Sequence, residues 1–271
     1  MNKLLKYMGL AFLMVSFASC TNTDNDDSIT NSGNYFPLTL DNYWNYNVTN
    51  TNLDLNQTQN TRDSLFVSDA NNNAFDLAIN GIAKGTMNTI LTQMALNRTS
   101  NSLMGTGNII FPFEGLDDLQ IGVNNVIFYN TNSSQNDTLS SIDGLIEQSI
   151  EGLPIMASYT LKTIQGPFSN NLFLNNVNYD NVIESSLILE LTITTEVEVI
   201  PGNFVEVLIL DTQTVLDIKN HYAKDIGLVS SEALISYHLE DFSQIGITLP
   251  LAGSLNATSA QTMDNYDVAE E

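Results

Sequence analysis

The stretch Ser186–Val199, SLILELTITTEVEV, decides the fold class. Leu187, Leu189, Leu191, Ile193, Val197 and Val199 share one parity. Glu190, Thr192, Thr194, Glu196 and Glu198 occupy the other, with Ile188 the one apolar exception. A β-strand sends alternate side chains to opposite faces, so this is a long strand with one buried face and one wet face. Ile200-Pro201-Gly202-Asn203 follows as a turn, because Pro presets φ and Gly and Asn accept positive φ. Phe204–Ile218 then returns as a second strand and completes a hairpin. A third strand, about Leu228–Leu239, comes after a turn at Asp225–Gly227.

Upstream, strand patterning recurs at Tyr43–Val48, Ser64–Val67, Phe75–Ile79, Thr86–Leu96, Asn108–Phe113, Val126–Tyr129, Thr138–Ile150 and Ile155–Ile164. Within the seventh of these, Leu139, Ile142, Leu145, Ile146 and Ile150 also fit a helical period, which Gly144 weakens. Many strands separated by polar turns predict a mainly β fold. Its expected architecture is one large antiparallel sheet, curved or partly closed, of the open-barrel or lipoprotein-carrier type, with few helices.

Composition narrows the function. The 271 residues carry 8 Lys+Arg against 31 Asp+Glu, a formal charge of −23, with 2 His and 1 Cys. Nucleic acid is excluded as a partner, since a polyphosphate surface needs clustered Lys and Arg. A single Cys excludes a disulfide scaffold, and no repeated apolar stretches suggest a bundle of membrane spans.

The chain opens MNKLLKYMGLAFLMVSFASC. Lys3 and Lys6 make a basic start, Met8–Phe17 a short apolar stretch, and Ala18-Ser19 a small pair before Cys20. That is a signal-peptide layout over residues 1–19, with an apolar part too short to span a bilayer. The small pair followed by Cys resembles a bacterial lipobox, although Phe17 stands where Leu is usual. The resemblance implies that Cys20 is acylated, with chains such as palmitate, and becomes the first residue. The alternative is an ordinary cleaved secretory signal. More than one acyl chain anchors firmly, because each buried methylene adds about 0.8 kcal/mol. Removing Lys3 and Lys6 takes the formal charge from −23 to −25. Residues 20–34 then read as a polar tether, 35–255 as the β-domain, and 256–271 as a polar, acidic, frayed tail. Asp24, Asp26 and Asp27 resemble the acidic export signal that sends lipoproteins of Bacteroidetes to the outer face of the outer membrane; a solvated linker reads the same way.

Two further segments carry a resemblance. Tyr35-Phe36-Pro37-Leu38-Thr39-Leu40-Asp41-Asn42-Tyr43-Trp44-Asn45-Tyr46 is similar to the FPL…GNxWxY opening of a group of uncharacterised Bacteroidetes secreted lipoproteins, with Asp41 in place of Gly. Tyr222-Ala223-Lys224-Asp225-Ile226-Gly227-Leu228-Val229 is similar to the YFAxGVGLV segment of the same group, with Asp225 in place of Gly. The resemblance implies a lipid-anchored antiparallel β-protein and no reaction. Physically, Trp44, Tyr46 and Phe36 offer large apolar area to a core, and Gly227 suits a tight turn. Trp44 and Tyr46 are also the candidates for a ligand groove.

No catalytic motif or cofactor fingerprint occurs, so the expectation is a non-enzymatic protein without cofactor or metal. His221 precedes the second segment and fits its turn. His238 shares parity with Glu232 and Glu240 and reads as a surface histidine. Asp117-Asp118 and Glu196/Glu198 are acid pairs of little weight in so acidic a chain. Asp27-Ser28-Ile29, Asp63-Ser64-Leu65 and Asp137-Thr138-Leu139 resemble the D-[S/T]-aliphatic O-glycosylation pattern of Bacteroidetes. The partners expected are the membrane, through Cys20, and an unidentified ligand or envelope protein. The rival reading is a surface adhesion or structural component without a ligand cavity; a hydrolase is the third, and lacks an evident base and nucleophile.

Overall fold

The computed structural model describes residues 33–71, 74–110, 120–150, 153–241 and 252–269. In chain order the elements are β1 (Tyr43–Asn52), β2 (Gln57–Asn71), β3 (Ala74–Ile79), α1 (Thr86–Thr92), β4 (Met94–Arg98), β5 (Ser102–Ile110) and β6 (Gln120–Asn130). There follow β7 (Thr138–Ile150), β8 (Leu153–Leu174), β9 (Val177–Ile200), β10 (Asn203–Ala223), β11 (Gly227–His238) and β12 (Ser254–Asp267). The strands form a single antiparallel sheet ordered β6-β5-β4-β3-β2-β1-β12-β11-β10-β9-β8-β7. It is nearly closed into a barrel, with one unsealed seam between β6 and β7.

The alternation that predicts β9 is also what fills the barrel. Leu187, Leu189, Leu191 and Ile193 point inward and are buried, as are Ile218 of β10 and Val48 of β1. Glu190, Asp217, Lys219 and Glu232 lie on the opposite face. A membrane-spanning barrel has its apolar residues outside; here the arrangement is reversed. No helix among the described residues is long and apolar enough to cross a membrane.

Strands β8, β9 and β10 run 22, 24 and 21 residues, twice the 10 of β1. Strands this long must bend to follow a barrel wall, and four register shifts between β9 and β10 supply the bends. Gly144 settles the choice between helix and strand for β7. It pairs with Tyr159, whose ring lies where a Cβ would be, so a side chain there would collide with it. At the seam, Gln165, wholly buried, accepts the Asn130 N–H (3.0 Å) and donates to the Glu184 carbonyl (3.2 Å). The Ser140 hydroxyl accepts the Ile127 N–H (2.9 Å). Side chains thus bridge where no ladder forms.

The structure corrects two expectations. Thr86–Leu96 is not a strand: its first part is helix α1, and only Met94–Arg98 joins the sheet. Its Thr and Ile residues favour β-structure locally. Met87, Ile90 and Leu91, however, fit one face of a helix and are buried together. The second correction is the tail. Residues 254–267 form β12, paired with β1 on one side and β11 on the other. Its inward positions are Ser259, Gln261 and Met263, all buried. Polar residues facing a polar part of the interior leave no hydrophobic alternation to detect.

Backbone chemistry accounts for two features of the sequence. The eight described non-glycine residues with positive φ are all Asn or Asp. These short polar side chains tolerate the left-handed region best. Asp41 (φ 71°) and Asp225 (φ 60°), the two positions where Asp replaces an expected Gly, are among them.

Candidate functional site

The two segments singled out in the sequence meet in space. Trp44 is fully buried, stacks on Phe36 (ring centroids 4.9 Å apart), and its Nε1–H donates to the Ile226 carbonyl at 2.6 Å. The Tyr46 hydroxyl donates to the Leu228 carbonyl at 2.8 Å. Phe36 also faces Tyr222 at 6.1 Å, and Tyr222 packs on Tyr129 at 5.1 Å. A Cβ on Gly227 would lie 2.8 Å from Trp44 Nε1, and its φ is +119°. Burial raises the pKa of the Tyr46, Tyr129 and Tyr222 hydroxyls above the ordinary tyrosine value, so they stay neutral. Asn42 closes this end: its amide donates to the Pro37 carbonyl (3.0 Å) and accepts the Ala269 N–H (2.9 Å). This end of the barrel is an aromatic plug. Trp44 and Tyr46, expected as core or as ligand groove, are core.

The opposite end is open. Along β1 the inward positions run Trp44, Tyr46, Val48 and then Asn50 and Asn52. Opposite them on β2, Gln57 and Gln59 precede Asp63, Leu65 and Val67. The result is a mouth of about 570 Å³, lined by Asn50, Asn52, Gln57, Gln59, Ser259 and Lys84, with Ile235, Leu255 and Ala257 as an apolar strip. Its floor is the loop leading into α1. The buried Asp63 carboxylate accepts the N–H groups of Lys84 (3.1 Å) and Gly85 (2.8 Å) and the Asn88 amide (3.0 Å). The Gln261 amide exchanges hydrogen bonds with Asn88, accepting its N–H (3.2 Å) and donating to its Oδ1 (2.9 Å). Asn50 donates to the Lys84 carbonyl (3.1 Å), which ties the floor to the wall. The mouth was legible only as a change of residue type at constant parity, from aromatic to amide. Lys84, in a loop, left no such trace.

On the outer wall, the His221 Nδ1 lies 3.0 Å from the Ser230 hydroxyl, and its Nε2 lies 3.3 Å from Glu184 Oε2. Lys219 reaches Glu184 at 3.7 Å. Burial lowers the His221 pKa, and the attraction of Glu184 offsets this only in part. The neutral ring satisfies both contacts by donating from Nε2 and accepting at Nδ1. Ser, His and acid stand in the order of a hydrolytic triad, but Ser230 lies mid-ladder, between His221 on β10 and Thr262 on β12. Its backbone is committed to the sheet, which supplies no preorganised donors for an oxyanion. The row holds the wall together. His221 therefore sits on a strand, ahead of the turn it was expected to join.

The remaining candidates are scattered. Glu196, Glu198 and His238 are exposed. Ser64 lies between the buried Asp63 and Leu65 and donates to Asn45 Oδ1, so that D-S-L stretch is built into the wall, whereas Thr138 is exposed. Cys20, Asp24, Asp26, Asp27, Ser28, Asp117 and Asp118 lie outside the described residues. Among the described residues, no three His, Cys, Asp or Glu side chains gather as a metal set. Compared with protein-family models, curated proteins and solved structures, the chain matches none of them.

Proposed function

We propose that this protein is a non-enzymatic lipoprotein of the bacterial outer membrane that binds a polar ligand in the open mouth of its barrel. In this reading acyl chains on Cys20 hold it to the bilayer, and the tether bearing Asp24, Asp26 and Asp27 takes it to the cell surface. The observation that carries the binding role is the contrast between a packed, aromatic-plugged interior and a mouth lined by amides and hydroxyls. A packed interior favours a polar ligand over a small apolar one. The mouth is of the size that small-molecule sites occupy. The full chain, titrated with a glycan panel and followed by amide chemical shifts, should respond at Asn50, Gln57 and Gln59. No response at these residues to any member of the panel would end the binding reading. For the anchor, Cys20→Ala should move the protein from the detergent phase to the aqueous phase, and unchanged partitioning would contradict it.

A second reading rests on the far end of the β9–β10 hairpin. Val199, Ile200, Phe204 and Val205 are 48–62% exposed there, a cluster of apolar side chains at one tip. Such a tip suits adhesion or assembly by contact. Phe204→Ser would abolish that contact and leave ligand binding intact.

A further inference from the structure

The lining of the mouth is unusual for so acidic a chain. None of its residues is Asp or Glu, and one is Lys84. The sequence holds 31 acids, and carboxylates pair with three of the described cations. Arg62 pairs with Asp264, Lys162 with Glu190 and Lys219 with Glu184. Lys84 is exposed and forms no ion pair among the described residues. Its backbone is nonetheless held from both sides, by Asp63 at its N–H and by Asn50 at its carbonyl. The side chain therefore starts from a fixed base at the edge of the mouth, which lowers the ordering cost of using its ammonium. Beside it, the side-chain amides of Gln57 and Gln59 have no hydrogen-bond partner among the described residues, and Asn50 Oδ1 is shielded from solvent with none. One unpaired cation, free amides that both donate and accept, and an apolar strip of Ile235, Leu255 and Ala257 make a definite set. It matches a ring that carries a carboxylate, several hydroxyls and a C–H face.

We infer that the mouth binds an acidic sugar, with Lys84 as the partner of its carboxylate and Gln57 and Gln59 as partners of its hydroxyls. This rests on the polar-ligand reading of the mouth and names the class of ligand. A charge-assisted hydrogen bond is stronger than a neutral one, so the carboxylate should dominate selectivity. Lys84 contacts the sugar directly in this scheme, and the glutamines orient it.

The test uses the full chain and calorimetric titration with galacturonate, glucuronate and their neutral counterparts galactose and glucose. At least one uronate should bind about tenfold or more tightly than its neutral counterpart. Lys84→Gln should remove that difference while leaving the melting temperature unchanged, because the ammonium supports no fold contact. An oligogalacturonide separates the sources: tighter binding than the monomer indicates a polysaccharide, equal binding a free sugar, and both support the assignment. Equal affinity for acidic and neutral sugars would overturn the role of Lys84 and leave the polar-ligand reading standing. A preference that survives Lys84→Gln would overturn it too. If neither uronate binds, the acidic-sugar assignment fails, and chemical shifts from the wider glycan panel decide separately whether the mouth binds anything.

Discussion

At one end of the barrel β1 contributes Trp44 and Tyr46, each buried and each with its polar atom donated to a carbonyl of the β10–β11 turn or of β11. At the other end the same strand contributes Asn50 and Asn52, facing a solvent-open mouth. The two ends share strands, handedness and register, and differ in what their inward side chains can satisfy among themselves. The aromatic end is better satisfied: Trp44, Tyr46 and both sides of the Asn42 amide are bonded, although the buried Tyr222 hydroxyl has no partner among the described residues. The mouth leaves amides and an ammonium without partners. Hydrogen-bonding groups left free on a rigid floor suit recognition, whereas a filled plug suits stability.

If this contrast is right, substitutions at the plug should cost far more than substitutions at the mouth. Trp44→Ala removes the largest buried side chain and leaves the Ile226 carbonyl without its donor, so stability should fall by about 3–5 kcal/mol. Chemical denaturation of the purified chain would measure it, and an unchanged midpoint would remove Trp44 from the core. Asp63→Ala should cost about 2–3 kcal/mol, because three buried or part-buried donors lose their acceptor. It should also loosen the floor, read as faster amide exchange at Gly85 and Asn88. If Asp63→Ala melts like the wild type, the floor contributes nothing and the mouth is not preorganised. Gly227→Ala should cost about 1–3 kcal/mol through its positive φ, and more if the indole cannot yield to the new Cβ. Retention of full stability there would mean that the turn can shift without disturbing Trp44.

The outer wall lies between these extremes. Burial holds the His221 pKa below the ordinary value of 6.5, so the folded state prefers the neutral ring. An unfolded chain binds that proton more readily, so the contribution is full above about pH 6.5 and is lost as the pH falls below it. Glu184, Glu232 and Lys219 face the ring, and the negative pair moderates the effect. His221→Gln should therefore flatten the dependence of melting temperature on pH between about 5 and 7. An unchanged slope would show that other groups govern it. Smallest of all, Gln59→Ala at the mouth should alter stability by no more than about 0.5 kcal/mol. A larger loss would mean that the mouth is structural after all.

Much of this arrangement is readable from parity. The β9–β10 hairpin, its Pro-Gly turn and the strand that follows were evident because one face is almost purely apolar and the other almost purely acidic or hydroxylic. The aromatic plug was half legible. Trp44, Tyr46 and Gly227 stood out individually, but nothing in the linear pattern joined the opening segment to Gly227, because that contact spans most of the chain. Helix α1 was hidden because its Thr and Ile residues favour strands locally, and the N–H groups of Thr86 and Asn88 in its first turn find their acceptors on β12, while those of Lys84 and Gly85 just before it find Asp63 on β2. Strand β12 was hidden for a related reason: Ser259 and Gln261 face inward toward Thr86 and Asn88 rather than toward hydrocarbon.

Alternation along the chain determined that this protein is an antiparallel β-sheet, which faces are dry, and where Asn, Asp and Gly turn the backbone. Those are properties of neighbouring residues, and local sterics and the hydrophobic effect decide them. The closing of the sheet, the use of residues 254–267 as its central strand, the plugging of one end and the opening of the other were decided by tertiary structure alone. Each depends on which distant strand a polar group finds as its partner, and pairings between strands far apart in the chain carry no local signature.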